Sequence, residues 1–270
     1  MTERLVEVRG GVRINVRELG AGRPVLLIHG WSLSGEAWDR QIRVLAERGH
    51  RVLAMDLRGH GGSDAPLEGY EIESLAADAA DVLADSGASA AAVVGWSLGG
   101  MVALRLALDH AALVERVVLV ASNGVAASRT PSFPFGVPAD GPLNAILAAE
   151  HDDRIALRRS AVGDPFKEAP APHVLDWLHR ISLRTPSWAA RAAMRTLLCT
   201  DQVDILDGVR VPVTQIIGTA DPALSVRGAR WLHERLGTTL IELDTGHYPM
   251  LEAADEFDAA LLRAVAEAAT

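Results

Sequence analysis

The chain has 270 residues, enough for one full hydrophobic core with an inserted module, and its 49% apolar and 23% charged content is that of a soluble globular protein. The formal net charge of −9 argues against nucleic acid and against anionic membrane surfaces as partners. One cysteine, Cys199, rules out an internal disulfide; Met1–Gly10 do not form a signal peptide and no apolar run approaches a membrane span, so a cytoplasmic protein is expected.

Leu5–Val8 and Val12–Val16 alternate with period two around Gly10-Gly11, which predicts a β-hairpin. Val25–Ile28 is a continuous apolar run, the mark of a strand buried on both faces. Glu36–Arg48 reads as a helix with Trp38, Ile42 and Leu45 inward and Gly49 as its stop. Arg51–Met55 is the next strand and Ile72–Asp85 the next helix. Ala90–Val94 is a short buried strand, Gly100–His110 a helix, and Val117–Val120 another strand. After about residue 121 the rhythm breaks. Residues 123–142 are rich in Gly, Pro and Ser, and residues 143–200 read as short helices interrupted by prolines. Strand and helix return at Val211–Ile217, Ser225–Leu236, Thr239–Leu243 and Asp255–Ala268. Repeated β-α units predict a mostly parallel sheet covered by helices. The expected organisation is an α/β core over 1–125 and 201–270, with a helical module at 126–200.

Gly95-Trp96-Ser97-Leu98-Gly99 reads as G-x-S-x-G between a strand and a helix. A sharp turn there holds the Ser97 hydroxyl out at the C-terminal edge of the sheet, and the glycines permit the close helix–strand approach. A serine is a weak nucleophile unless a base takes its proton. His247, just beyond the last predicted strand, emerges at the same edge. Asp221 follows the strand ending at Ile217 and is placed to hold the imidazole in the right tautomer. Asp201, Asp204 and Asp207 precede that strand and should lie away from its C-terminal edge; Asp244 is expected to end a strand. Backbone N–H donors for a developing oxyanion are expected from Leu98, at a helix N-terminus, and from Trp31, in the loop after Val25–Ile28. His29 is expected to order that loop.

The ordered set His29-Gly30-Trp31, Asp56–Ser63, Gly95–Gly100, Gly218…Asp221 and Gly246-His247 resembles the α/β-hydrolases over the whole chain except the module. The motifs look most like the branch of small carboxylesterases, pimeloyl-carrier-protein methyl ester esterases and cofactor-free haloperoxidases. The resemblance implies an α/β-hydrolase fold with a mostly parallel eight-stranded sheet and an inserted helical cap. It also makes Asp56–Ser63 a structural turn. Serine at 97, where dehalogenases and epoxide hydrolases carry aspartate, argues against alkyl-enzyme chemistry. The function this implies is serine hydrolysis of a carboxylic ester or thioester through an acyl-enzyme, without cofactor or metal. Acyl transfer or C–C bond hydrolysis by the same triad, and a non-catalytic receptor on the fold, are the alternatives. For the pocket, Trp96, Phe133, Phe135, Leu143, Ile146, Leu147, Trp177 and Trp188 are expected to provide an apolar lining. Arg154, Arg158 and Arg159 are expected to form a solvated helix face; docking of a carrier-protein phosphopantetheine or of a carboxylate there is the alternative.

Overall fold

The computed structural model describes residues 1–266. Eight strands form one sheet: β1 (Thr2–Val8), β2 (Val12–Leu19), β3 (Arg23–Ile28), β4 (His50–Met55), β5 (Ala91–Trp96), β6 (Val114–Val120), β7 (Val213–Gly218) and β8 (Thr239–Leu243). Their spatial order is β1-β2-β4-β3-β5-β6-β7-β8. β1 and β2 pair antiparallel, with Val8 opposite Val12 across a 3-10 turn, and β2 pairs antiparallel with β4. From β4 onward every pairing is parallel.

The period-two pleat divides the core in two. On one side lie Leu26, Ile28, Leu53, Met55, Val93, Val117 and Leu119. They pack with α2 (Ile72–Asp85) and α3 (Leu98–Asp109). Their neighbours Val25, Leu27, Val52, Ala54, Val94, Val118 and Val120 face the opposite layer, with α1 (Asp39–Glu47) and α10 (Ala254–Ala266). A strand covered on both faces needs an apolar residue at every position, which is why β3, β5 and β6 carry unbroken apolar runs. Each Val, Leu or Ile buried in this way contributes about 1.5–3 kcal/mol.

Between β6 and β7 the chain leaves the sheet and forms α4 (Asp140–Asp152), α5 (Arg154–Gly163), α6 (Pro172–Ser182) and α7 (Ser187–Cys199). α8 (Val226–Leu236) and a single turn, α9 (Pro249–Glu252), flank β8. The parallel register aligns the C-terminal ends of five strands: Ile28 pairs with Gly95, Gly95 with Leu119, Val120 with Ile216, and Gly218 with Leu243. The loops after these ends are where ligand sites form in open α/β sheets. The final helix is described to Ala266; residues 267 and 268 of its predicted span lie outside the described residues. Among the described residues no helix is long and apolar enough to cross a membrane.

Candidate active site

Ser97 sits at the turn from β5 into α3 with φ 55° and ψ −116°. A non-glycine residue held there carries strain of order 1–3 kcal/mol, which the surroundings must offset. Ser97 N–H donates to Val120 O (3.0 Å), and Ser122 Oγ–H donates to Ser97 O (2.8 Å). The turn is possible because Gly95 and Gly99 have no side chains. A Cβ on Gly95 would lie 2.1 Å from Gly99 O, and one on Gly99 would lie 2.4 Å from Ile28 O.

Asp221 and His247 come from the loops after β7 and β8. His247 Nδ1–H donates to Asp221 Oδ2 at 2.7 Å, with the carboxylate fully shielded and the imidazole 12% exposed. Asp221 Oδ1 accepts from the amides of Ala223 (2.8 Å) and Leu224 (3.0 Å), so both carboxylate oxygens are occupied. The His247 backbone is fixed at both ends: its N–H donates to Pro165 O (2.8 Å) and its carbonyl accepts from Trp96 Nε1–H (2.9 Å). Ser97 and His247 line the same cavity, without a direct hydrogen bond between them.

Three of the other acidic candidates are engaged elsewhere. Asp244 pairs with Lys167 (2.7 Å) on the surface, Asp207 with Arg235 (2.8 Å), and Asp201 accepts from Ser132. Leu98 is the first residue of α3, so its N–H has no partner within the helix. The loop carrying Trp31 presses against the elbow: a Cβ on Gly30 would lie 3.2 Å from Ser97 Cβ.

His29 orders this loop. Its Nε2 accepts from Leu57 N–H (2.9 Å) and its Nδ1 contacts Gly30 O at 2.7 Å. Burial pushes the His29 imidazole below the ordinary histidine range. His60, 5.2 Å away ring to ring, is pushed down to about 3 by burial and by His29. Asp56 is a structural hub. It accepts from Arg17 (3.0 Å), Asn15 (3.0 Å) and the amides of Gly35 (2.7 Å) and Gly62 (2.8 Å). Burial opposes its ionisation, but Arg17 and these hydrogen bonds outweigh that and hold the carboxyl below the usual carboxylate range.

The cavity over Ser97 measures about 340 Å³. Trp31 and Trp96 reach its wall, as does Ile146, but six expected residues do not. Phe133 instead fills the space left by the absent side chain of Gly228 on α8, where a Cβ would lie 2.4 Å from its ring. It stacks edge-on with Phe135 (5.0 Å) and Trp231 (5.6 Å), so both phenylalanines fasten the loop after β6 to α8. On α4 the cavity stripe is Pro142 and Ile146, so Leu143 and Leu147, one residue further round, miss it. Trp177 turns outward, where its Nε1–H donates to Glu36 Oε1 (2.9 Å) beside a separate surface groove. Trp188 is 47% exposed, and its Nε1–H donates to Ala65 O (3.3 Å). The rest of the wall includes residues not expected there: Met101 on α3, Leu157 and Ala161 on α5, and Met194, Leu197 and Leu198 on α7. Their helical spacing was visible, but a stripe facing a cavity and a stripe facing the core look alike in sequence.

The solvated arginine face is also corrected. Arg158 is fully buried against Glu150 (2.8 Å), the half-buried Arg154 donates to the carbonyls of Leu183 (3.1 Å) and Thr185 (3.0 Å), and Arg159, paired with Asp176, is exposed.

Comparison with known proteins agrees with this fold. The profile of the Alpha/beta hydrolase family matches residues 25–260. The chain belongs to the alpha/beta hydrolase family. This alpha/beta hydrolase is 32% identical over 237 residues to a pimeloyl-[acyl-carrier protein] methyl ester esterase of Aromatoleum aromaticum, covering 84% of this chain and 92% of that one. It is 33% identical over 247 residues to a putative non-heme chloroperoxidase of Synechocystis, covering 87% of each. An esterase from Exiguobacterium antarcticum superposes with a TM-score of 0.94 at 25% identity, over 98% of this hydrolase and 100% of that chain.

Proposed function

We propose that this alpha/beta hydrolase is a serine hydrolase that cleaves a carboxylic ester or thioester of a small to medium, uncharged, apolar substrate. The observation that carries the reading is the 2.7 Å Asp221–His247 bond, set on the wall of the cavity into which the strained Ser97 turn opens.

Asp221 accepts the Nδ1 proton of His247, which leaves the Nε2 lone pair free to take the Ser97 proton. Ser97 Oγ then adds to the acyl carbon. The negative charge that develops on the carbonyl oxygen is met by the N–H groups of Leu98 and Trp31. His247 returns the proton to the leaving alcohol or thiol. A water, deprotonated by His247, releases the acid from the acyl-enzyme and restores Ser97. The helices α4–α7 act as a cap over this site.

Among the described residues no Asp, Glu, Lys or Arg lines the cavity, and its wall is built mainly of Met, Leu, Ala and Pro. A charged substrate group would lose its hydration there without finding an opposite charge. The engagement of Arg154 and Arg158 inside the insert favours a free small-molecule substrate over a carrier-bound one.

A series of p-nitrophenyl esters tests the reading. Each CH₂ taken from water contributes about 0.8 kcal/mol, so lengthening the acyl chain by two carbons raises kcat/KM up to about tenfold until the cavity is full. A hemisuccinate ester should be a poor substrate. A steady fall from acetate upward, or a preference for the hemisuccinate, contradicts the proposed pocket.

A further inference from the structure

The insert contains a buried ion pair that the acyl-transfer steps do not use. Arg158 Nε–H and Nη2–H donate to the two carboxylate oxygens of Glu150 at 2.8 and 2.9 Å, and both residues are buried. Taking two charges out of water is costly, and a buried pair is weak evidence of stabilisation in itself. Its connections are more informative.

Arg158 Nη1–H donates to Ser182 O (2.8 Å), and the guanidinium lies 5.0 Å above the Trp31 ring. Arg154, which shares Glu150 at 3.6 Å, anchors the rest of the same corner through the carbonyls of Leu183 and Thr185. That corner grips the residue after Trp31. Ser182 Oγ and Ser32 Oγ share a hydrogen bond of 2.8 Å, and Thr185 Oγ1–H donates to Ser32 O at 3.4 Å. The Trp31 ring is held at its other end, where Nε1–H donates to Ala190 O (2.8 Å). Ser32 has φ 58°, a conformation that a non-glycine residue keeps only when its surroundings impose it.

We propose that Glu150 and Arg158 are positioning residues, which set the Trp31 amide at the oxyanion site by clamping Trp31 and Ser32 from the insert. The proposal rests on the serine-hydrolase reading above. An oxyanion donor works only if it is fixed at the place where charge develops, so loosening the clamp should weaken binding of the transition state more than binding of the substrate.

Two variants separate this role from simple support of the fold. Arg158→Lys keeps the charge but loses the fork and the stacking on Trp31. The double variant Ser182→Ala/Thr185→Val leaves the ion pair intact and cuts both links to Ser32. The assay is p-nitrophenyl butyrate hydrolysis, with active sites titrated by a fluorophosphonate. The affinity of an alkyl trifluoromethyl ketone, which forms a tetrahedral adduct with an active-site serine, is measured in parallel. The expected result is a fall in kcat of about 100-fold for Arg158→Lys and about tenfold for the double variant, with KM little changed. Affinity for the ketone should fall by the same factors. If the variants melt earlier but keep wild-type kcat per titrated site and wild-type ketone affinity, the pair is structural only and the proposal is overturned. Should Arg158→Lys fail to fold, the double variant decides the question alone. If the wild-type protein reacts with neither the fluorophosphonate nor the ketone, the serine-hydrolase reading fails first and takes the clamp with it.

Discussion

Replacing Asp221 by asparagine should disable the site by fixing the wrong tautomer of His247. In the structure Oδ1 accepts two backbone amides, from Ala223 and Leu224, while Oδ2 accepts His247 Nδ1–H. An asparagine can keep only one of these arrangements. With its oxygen on the two amides, its NH₂ faces His247 and donates to Nδ1. The imidazole proton then moves to Nε2, the atom that accepts from Ser97 in the proposed mechanism. The opposite flip leaves two buried N–H donors unsatisfied, at about 1–3 kcal/mol each, or about 2–6 kcal/mol in total. The productive tautomer is therefore a minor population, and the carboxylate charge that stabilises the imidazolium is also gone. A loss of about 10³- to 10⁴-fold in kcat/KM is expected. The assay is p-nitrophenyl butyrate hydrolysis, with circular dichroism to show that the variant is folded. Asp244→Asn is the control, because Asp244 pairs with Lys167 at the surface and should be dispensable. A folded Asp221→Asn variant within about tenfold of wild type, or an equal loss in Asp244→Asn, would refute the assignment of the acid.

Gly99→Ala should lower both the melting temperature and the activity, since its Cβ would meet Ile28 O at 2.4 Å and His29 O at 2.7 Å and push the Leu98 amide out of place; unchanged melting and kcat would show that the contact is not tight. Burial lowers the pKa of both His29 and His60 in the folded chain, His60 down to about 3, whereas the unfolded chain binds their protons at about 6.5. Their contribution is therefore complete above about pH 6.5 and is lost as pH falls, by up to about 1.4 kcal/mol per pH unit for His60. Urea unfolding from pH 7 to 4.5 should show the decline, and a flat profile contradicts it. Ala161→Trp should shorten the preferred acyl chain by filling the cavity, while Trp177→Ala and Trp188→Ala leave the preference unchanged; chain-length profiles of the three variants check both statements.

The core was legible in the sequence because its constraints are local. The runs Val25–Ile28 and Val117–Val120 have no polar position to spare, so they can only be strands buried on both faces, and β3 and β6 contain them. The turn at Ser97 was legible because the close approach of Gly95 to Gly99 excludes any side chain. The meeting of Asp221 and His247 was legible from their place after β7 and β8, since parallel strands deliver their C-terminal ends to one edge. The pocket was not legible in the same way. Which stripe of α4 faces Ser97 depends on how the helix is rotated in the insert, and that is set by contacts far apart in sequence. The burial of Arg158 was hidden for the same reason. Its partners Glu150 and Ser182 lie on α4 and α6, and Trp31 lies in the loop after β3, more than a hundred positions earlier.

Intact-mass measurement after incubation with a fluorophosphonate tests the central claim most directly. The account predicts a single stoichiometric adduct on the wild-type chain, located at Ser97 by peptide mapping. It predicts none on Ser97→Ala, and slow labelling of Asp221→Asn and His247→Ala. Absence of an adduct on the folded wild-type protein, or an adduct that persists in Ser97→Ala, would contradict the account.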